Sequence, residues 1–485
     1  MSEAIEGLKP ALVWKYFAEI ARIPRCSGNE AAISKYIVAT AKKLGLAARA
    51  DAVGNVVVKK PAAAGWEGAR SIVLQGHLDM VGEKNKDKVH DFAKDPIELV
   101  RKDNVMMANG TTLGADNGVA VATSLAIMED RSLVHGPLEF LFTVDEERGL
   151  TGAKSLAGDF LESRILLNLD SEEEGELYVG CAGGRDSSAS WKADFVPAPA
   201  RAIAALLKVS GLRGGHSGLE IDKGRGNAIK MINRVLLALA PVGARLARIG
   251  AGNKRNAIPR EAEARLYVPV NAWDQAAELV ARCSQIIKAE YATVEPGLEI
   301  HIAPLKGARK GKVLKPGTQN KLCKTLSALP HGVIRMSPDI PGLVQTSTNL
   351  AIITTGTKSI NVATSQRSSV ASEIEEICRT VGDVFELGGA EVHASDGYPG
   401  WKPNLDSQIL SIAKQTYKAL YGQEPAVKAV HAGLECGIIG ERFPGMDMVS
   451  FGPTLSGVHS PEEKLYIDTV EKFWNYLLAI LKNVR

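Results

Sequence analysis

The sequence has no long hydrophobic run and no closely paired cysteines, and each absence excludes a class of protein. No stretch of about 18 uninterrupted apolar residues occurs in the 485 residues, so we expect no membrane-spanning helix. The six cysteines are scattered without a Cys-x-x-Cys pair, which indicates free thiols in a reducing compartment. The first residues, MSEAIEG, lack the basic-then-apolar order of a secretory signal. We therefore expect a cytoplasmic protein with no membrane partner.

The sequence also lacks a strong excess of charge of one sign. The chain has 58 lysine and arginine residues and 55 aspartate and glutamate residues, which gives a net charge of +3. The basic residues are not clustered in one segment. This balance gives no electrostatic basis for binding nucleic acid. The 45% hydrophobic and 23% charged fractions are typical of a globular protein that buries a sizeable core. Length alone suggests roughly three domain-sized units.

Strands and helices alternate in the first part of the chain. A helical stretch at 118–128 lies among apolar runs that predict buried strands at 55–59, 71–75, 138–144 and 165–169. This alternation predicts an α/β domain with a mostly parallel sheet.

The pattern changes between residues 187 and 398. A β-α-β-β-α-β series, typical of a ferredoxin-like lobe, runs over 202–302, and a second set of helices and strands spans 321–394. The first pattern resumes at 399. The sequence therefore predicts an α/β domain at 1–186 and 399–485, interrupted by a two-lobed α+β insert.

Two polar residues follow the predicted strand at 71–75. His77 and Asp79 are two positions apart, so an extended backbone points them to the same face. That spacing suits an imidazole metal ligand oriented by a carboxylate, although a surface pair is the alternative interpretation.

Carboxylates follow the next predicted strands as well. Asp145, Glu146 and Glu147 come directly after the strand at 138–144, and adjacent like charges repel unless a cation neutralises them. A solvated turn is the alternative. Asp170 ends a further strand, and functional residues of open α/β sheets collect at the carboxyl ends of strands.

Two more segments complete the set. Asp116 lies in Gly-Thr-Thr-Leu-Gly-Ala-Asp116-Asn-Gly, just before a helix. The alternative to a ligand at Asp116 is a residue that simply caps this helix. His459 lies in a Gly/Pro-rich loop. Two histidines and three carboxylates match the ligands that zinc accepts. The candidate ligands are therefore His77, Asp116, Asp170, His459 and an acid from the run Asp145-Glu146-Glu147.

These motifs resemble the M20 metallopeptidase family and, within it, the bacterial aminoacyl-histidine dipeptidases. The resemblance spans essentially the whole chain, with no ligand missing. It rests on Gln-Gly-His77-Leu-Asp-Met-Val, the Asp116 string above, Asp170-Ser-Glu-Glu-Glu-Gly, Gly-Gly-His216-Ser-Gly, Arg-Asn256-Ala-Ile-Pro-Arg, His431-Ala-Gly-Leu-Glu-Cys-Gly and His459-Ser-Pro.

The resemblance implies two divalent metal ions, Zn²⁺ foremost, with Mn²⁺ or Co²⁺ as alternatives. It makes Asp116 the bridging ligand, with His77 and Asp170 completing one site and Glu147 and His459 the other. It also implies a cis peptide bond after Asp116.

The resemblance further assigns the chemistry. Glu146 becomes the general acid–base for a water activated by the two metals, and Asp79 holds His77 in orientation. Dipeptides are the implied substrates, preferentially Xaa-His including β-alanyl-histidine.

Substrate contacts are implied from the insert, which becomes a lid or dimerisation domain at 187–398. His216 donates to the developing oxyanion, either within one chain or across a homodimer. Asn256, Arg367 and the backbone of Gly433 hold the free carboxylate, for which an arginine fork is well suited. A surface charge at Arg367, a turn residue at Asn256 and a loop histidine at His216 are the alternatives.

Three other functions are the alternatives. A deacylase or tripeptidase of the same family shares the metals and the base. A non-catalytic metal-binding scaffold has no need of Glu146 beside a complete ligand set. A nucleotide-binding α/β protein requires a P-loop or a G-x-G-x-x-G at a strand–helix junction, and the sequence has neither.

Overall fold

The computed structural model describes residues 3–306 and 311–485 and divides into two compact units. The first unit comprises Met1–Gly180, Trp401–Ala429 and Leu434–Arg485, and the second comprises Cys181–Gly400 and Val430–Gly433. The predicted boundaries at 186/187 and 398/399 lie within six residues of the positions 180/181 and 400/401, where the chain passes from one unit to the other. The return of four residues to the second unit at 430–433 was not predicted.

The elements run as follows in chain order, with short 3-10 helices at Glu3–Ile5 and Val270–Ala272. The first part of unit one contains α1 (Ala11–Ile20), α2 (Ala31–Leu44), β1 (Ala47–Ala50), β2 (Val56–Lys60), β3 (Ile72–His77), β4 (Leu99–Lys102), β5 (Val105–Ala108), α3 (Ala115–Glu129), β6 (Leu138–Thr143), α4 (Glu146–Gly149), α5 (Thr151–Ser155), β7 (Ile165–Asn168) and β8 (Glu176–Cys181). Unit two contains β9 (Gly183–Lys192), β10 (Phe195–Pro197), β11 (Ala202–Ser210), β12 (Gly215–His216), α6 (Ala228–Leu239), β13 (Arg245–Ala251), β14 (Ala257–Ile258), β15 (Ala262–Pro269), α7 (Trp273–Glu290), β16 (Glu299–Pro304), β17 (Lys312–Leu314), α8 (Pro316–Ala328), β18 (Gly332–Met336), β19 (Val344–Thr355), β20 (Ser359–Ser368), α9 (Ala371–Leu387) and β21 (Glu391–Ala394). The return to unit one contains α10 (Gln408–Tyr421), β22 (Ala426–Val430), α11 (Glu435–Arg442), β23 (Asp447–Ser450), β24 (Leu455–Ser456), β25 (Lys464–Tyr466) and α12 (Ile467–Asn483).

An eight-stranded sheet forms the centre of unit one, in the order β1-β2-β6-β3-β7-β23-β8-β22. The four central strands β6, β3, β7 and β23 are parallel, and the prediction of a parallel α/β sheet is confirmed there. The flanking pairs β1–β2, β2–β6 and β23–β8 are antiparallel, which makes the whole sheet mixed. Every residue of β3, β6 and β7 is buried, as expected for continuous apolar strands covered on both faces. Their carboxyl ends therefore meet at one edge.

One antiparallel sheet extends through both lobes of unit two, in the order β16-β11-β15-β13-β19-β20-β9-β21, with β18 beside β19. The first lobe is the predicted β-α-β-β-α-β series, built from β11, α6, β13, β15, α7 and β16. The second lobe uses β9, α8, β19, β20, α9 and β21, and its first strand precedes the whole first lobe in the chain. The pairs Gly250–Thr354 and Ala251–Ile353 join the lobes.

One large hydrophobic cluster packs against this sheet. It includes Leu207 and Leu266 from the first lobe and Ile353 and Phe385 from the second, all buried. The two lobes of unit two therefore share this core.

No helix within residues 3–306 and 311–485 combines the length and the apolar character that crossing a bilayer requires.

Candidate active site

The predicted metal ligands all lie in unit one, at the carboxyl edge of the parallel strands. His77 is the last residue of β3, and Glu147 lies in the short helix that follows β6. Asp170 comes two residues after Asn168, the last residue of β7. Asp116 is in the first turn of α3 but has extended backbone angles, φ −80° and ψ 108°, and the peptide bond after it is cis, as expected. His459 lies in the loop between β24 and β25 with a positive φ of 60°.

The carboxylate of Asp116 lies between the two histidines. Its Oδ1 is 3.0 Å from His77 Nε2, and its Oδ2 is 3.1 Å from His459 Nε2. Each histidine faces one further acid: His77 Nε2 is 3.4 Å from Asp170 Oδ1, and His459 Nε2 is 3.0 Å from Glu147 Oε2. The five side chains therefore form two groups that share Asp116.

The donor set of these two groups fits divalent cations. Within each group one ligand atom per residue lies within 4.8 Å of the others, the groups being His77, Asp116, Asp170 and Asp116, Glu147, His459. Oε1 of Glu147 is buried without a hydrogen-bond partner among the residues that the structure describes. Imidazole and carboxylate are ligands that zinc, manganese and cobalt all accept.

The pKa values of these side chains show where positive charge is favoured. Hydrogen bonds to Asp116 and Glu147 raise the pKa of His459 to about 11. Burial disfavours the charged form of His77, but Asp170 and Asp116 outweigh it and hold the pKa of His77 well above its usual range. Burial raises the pKa of Asp170 to about 6. Cations placed between these groups satisfy the same carboxylates.

Asp79 is fully buried and holds two parts of the site together. Its carboxylate accepts hydrogen bonds from the backbone N–H groups of Glu146 at 3.0 Å and Glu147 at 3.2 Å, and from the Ser27 hydroxyl at 2.8 Å. His77 Nδ1 lies 3.2 Å from the backbone carbonyl of Asp79 and 3.4 Å from its carboxylate. Asp79 thus fixes the acidic turn after β6 at least as directly as it fixes His77.

Glu146 lies beside the ligands. One of its carboxylate oxygens is within 4.8 Å of ligand atoms of His77 and Glu147. Burial raises the pKa of Glu146 well above its usual range, and Asp170 and Glu435 add to this shift while His77 opposes it. A carboxyl group with a raised pKa is suited to take up and release a proton near neutral pH.

A buried acid that the sequence analysis did not single out supports the loop before α3. The Glu463 carboxylate accepts from four successive backbone N–H groups, those of Leu113, Gly114, Ala115 and Asp116, at 2.7–3.3 Å. It lies four residues after His459, which is the only sequence signal that marks it. Arg25, also buried, donates to the carbonyls of Leu78, Asp79 and Gly114 from the other side of the loop.

A chain of buried polar side chains crosses the parallel strands just before the ligands. Ser171 contacts Ser450, which donates to Asn168, which donates to Gln75. Gln75 in turn donates to Glu435 at 2.6 Å, and Thr143 donates to the same carboxylate oxygen at 2.6 Å. Burial raises the pKa of Glu435, a second acid that the sequence analysis missed, to about 7.

The four predicted substrate contacts lie in unit two, where two of them are adjacent. His216 pairs with Ala257 between β12 and β14, and the Ser217 N–H donates to the Asn256 carbonyl at 2.8 Å. The His216 Nδ1 accepts from the N–H groups of Gly218 and Leu219, both at 3.2 Å. Burial and the charge of Arg367 lower the pKa of His216. The imidazole is therefore neutral with its proton on Nε2, which leaves Nε2–H as a donor.

Arg367 and Gly433 both lie against Tyr398, a residue that no sequence motif marks. Arg367 Nη1 donates to the Tyr398 hydroxyl at 3.0 Å. A Cβ at Gly433 would lie 2.8 Å from the Tyr398 ring, so only glycine fits there. His431, to which no role was assigned, is buried nearby with Nε2 2.7 Å from the Ser347 hydroxyl.

The chain matches the profile of peptidase family M20/M25/M40 over residues 73–483. It is 41% identical to the cytosol non-specific dipeptidase of Escherichia coli K12 over 485 residues, 100% of this chain and 99% of that protein. The crystal structure of aminoacylhistidine dipeptidase from Vibrio alginolyticus matches with a TM-score of 0.93 and 42% identity, covering 99% of this chain and 98% of that one. The aminopeptidase PepT of Bacillus cereus, at a TM-score of 0.58 and 17% identity over 98% and 99% of the chains, shares the fold.

Proposed function

The chain belongs to peptidase family M20/M25/M40, and from this membership and the geometry of its site we propose that it is a metal-dependent dipeptidase acting through two divalent cations. One observation carries the proposal: the two oxygens of Asp116 face different histidines, each histidine faces a further carboxylate, and Glu146 lies beside them. A scaffold that only bound metal would not need this additional buried acid.

The metals would be held in two sites that share a ligand. His77, Asp116 and Asp170 form the first, and Asp116, Glu147 and His459 form the second. Bound divalent cations supply Lewis acidity, polarising a carbonyl oxygen and lowering the pKa of water toward about 7. We propose Zn²⁺ as the native ion, with Mn²⁺ and Co²⁺ as ions that the same donors accept.

Glu146 would move the proton. Its carboxylate accepts a proton from the attacking water and, as the carboxylic acid, delivers it to the nitrogen of the leaving amine. The raised pKa of Glu146 supports the second half of this role, because the protonated form persists until the amine departs. Asp79 keeps the carboxyl group in place through the backbone N–H of Glu146.

Unit two would recognise the ends of the substrate. The neutral His216 offers Nε2–H to the oxygen on which negative charge develops, a contribution that reaches about 3 kcal/mol in other enzymes. Arg367, Asn256 and the backbone of Gly433 would hold the free carboxylate, since a guanidinium contacts a carboxylate at two points.

We propose dipeptides as the substrates and Xaa-His, including β-alanyl-histidine, as the preferred class. The Vibrio relative, named for aminoacyl-histidine, supports this preference, while the Escherichia coli relative is named a non-specific dipeptidase. We further propose that the protein is a cytoplasmic homodimer, for which sedimentation should give twice the mass of the 51.7 kDa chain.

The test is a peptide panel combined with metal analysis on the same sample. It contains Xaa-His and Xaa-Ala dipeptides, β-alanyl-histidine, tripeptides, N-acetyl amino acids and dipeptide amides. We expect two metal ions per chain and turnover of dipeptides, fastest for Xaa-His. Turnover confined to tripeptides or N-acetyl amino acids would overturn the dipeptidase proposal, and equal rates for all dipeptides would overturn the histidine preference alone.

A further inference from the structure

Arg367 is a buried cation with an unused donor. Its side chain is 8% exposed, and its Nε–H has no hydrogen-bond partner among residues 3–306 and 311–485. Buried charges in proteins are normally paired, because an unpaired buried charge has lost its contacts with water and gained none in return. The guanidinium is therefore prepared for an anionic ligand, which under the proposed function is the carboxylate of a dipeptide.

The Tyr398 hydroxyl is a hydrogen-bond partner of this guanidinium. It accepts from Arg367 Nη1 at 3.0 Å. Accepting uses an oxygen lone pair, so the phenol keeps its own O–H to donate. Burial raises the pKa of Tyr398, and although Arg367 opposes the shift, the net direction is upward. The hydroxyl therefore carries its proton at neutral pH.

The position of the Tyr398 ring is fixed by its backbone and by two glycines. The N–H groups of Tyr398 and Gly184 each donate to the other's carbonyl, at 2.9 and 3.0 Å. A Cβ at Gly184 would lie 2.6 Å from the Tyr398 hydroxyl oxygen, and a Cβ at Gly433 would lie 2.8 Å from the ring. The phenol thus occupies a slot between two backbone segments, and Gly433 is itself a proposed carboxylate contact.

We propose that Tyr398 is a substrate-binding residue whose hydroxyl donates directly to the free carboxylate of the dipeptide, beside Arg367. This inference rests on the proposed dipeptidase function and deepens it. A neutral hydroxyl and a guanidinium that converge on one carboxylate select peptides with a free C-terminus. A C-terminal amide at the same place would direct its own N–H groups at the hydroxyl and guanidinium donors, which disfavours its binding.

The first experiment compares Tyr398→Phe with the wild-type enzyme on a dipeptide and on the corresponding dipeptide amide. A hydrogen bond to a charged group is lost for the dipeptide only, so its kcat/KM should fall about 10- to 100-fold, mainly through KM. The value for the amide should change less than about 2-fold. Tyr291→Phe, in the same unit but outside the site, is the matched control and should behave as the wild type.

The second experiment separates direct contact from an effect exerted through Arg367. In an Arg367→Met background, adding Tyr398→Phe should lower kcat/KM for the dipeptide several-fold further, because the hydroxyl still reaches the carboxylate. If the double variant equals Arg367→Met alone, Tyr398 acts only by positioning Arg367 and direct donation is overturned.

The two proposals fail in different ways. A wild-type enzyme that hydrolyses no dipeptide overturns the proposed function. A wild-type enzyme that hydrolyses dipeptides, while Tyr398→Phe keeps an unchanged KM and a wild-type melting curve, overturns the role of Tyr398 alone.

Discussion

Glu146 and Glu147 are neighbours in the chain, yet their carboxyl groups lie in different surroundings. Glu147 contacts His459 at 3.0 Å and is one of the proposed metal ligands. Glu146 has a pKa raised by burial and by the nearby acids. Asp79 holds the backbone of both residues in the turn after β6 by accepting from their N–H groups. Their different environments are the basis on which we propose Glu147 as a ligand and Glu146 as the base.

This difference predicts the effect of Glu146→Gln. The amide keeps the size of the side chain but accepts no proton from water, so kcat should fall by a factor of about 10² to 10⁴. Metal content, measured by plasma emission spectroscopy, should stay unchanged because the ligand set is intact. Glu471→Gln, on an exposed position of α12, is the control. A Glu146→Gln enzyme that retains most of its kcat would remove Glu146 from the proton-transfer role.

At the residue scale the sequence predicted which side chains gather at the strand ends. His77, Glu147 and Asp170 follow apolar runs, and that pattern alone brings them to one edge. Glu463 and Tyr398 were not predicted, because a glutamate that binds backbone N–H groups and a tyrosine beside a distant arginine leave no local pattern. Their roles arise only from tertiary contacts.

Among the elements, the loop that carries Asp116 depends on one acid. Glu463→Gln should weaken metal binding about 10- to 100-fold, because an amide nitrogen then opposes backbone N–H groups that the carboxylate had satisfied. Competition with a chromogenic chelator measures the change. Glu462→Gln, at the exposed neighbouring position, should bind metal as the wild type does. Equal affinities for all three proteins would show that the loop holds Asp116 without Glu463.

The polar chain across the parallel strands predicts a pH dependence of stability. Because the folded-state pKa of Glu435 is raised to about 7, its stabilising proton is fully bound below the unfolded pKa of about 4.3. This contribution is lost as the pH rises toward 7. Relative to the wild type, Glu435→Gln should therefore gain about 3 kcal/mol in free energy of unfolding between pH 4 and 8, at about 1.4 kcal/mol per pKa unit.

Urea denaturation of the two metal-free proteins at several pH values measures the Glu435 effect. The two proteins share the metal ligands, so the difference between their curves isolates Glu435. Parallel curves across this pH range would mean that Glu435 ionises in the folded protein as freely as in the unfolded chain.

Most elements were predictable because their patterns are local. The strands at 71–75 and 138–144 appear as β3 and β6 with ends shifted by one or two residues, and the first lobe matches its predicted series. The second lobe was predicted only in part, because its first strand, β9, lies before the first lobe in the chain. Nothing local in 183–192 indicates that its partner is β20.

For the whole molecule, metal removal should affect activity and stability together. Exhaustive dialysis against a chelator should abolish turnover, since the proposed reaction depends on the cations. It should also lower the unfolding temperature, because binding at a thousand-fold excess over Kd contributes about 4 kcal/mol. Calorimetry with and without added Zn²⁺ measures the shift, and Zn²⁺ should restore both properties. Full activity in protein shown to be metal-free would contradict the proposed mechanism.

The interrupted chain order of the second lobe has a consequence for synthesis on the ribosome. Domains fold as units while the chain emerges, from the N-terminus onward. Unit one and the second lobe are each built from separated parts of the chain. The first lobe is contiguous, from β11 to β16, so we expect it to be the first to have all of its strands available for pairing. β9 emerges earlier but cannot pair until β20 has been synthesised. β7 pairs with β23, which is synthesised later still. We therefore expect folding to begin in the middle of the chain and to extend to the flanking segments. The proposed metal centre needs His459, so it is the last part to form.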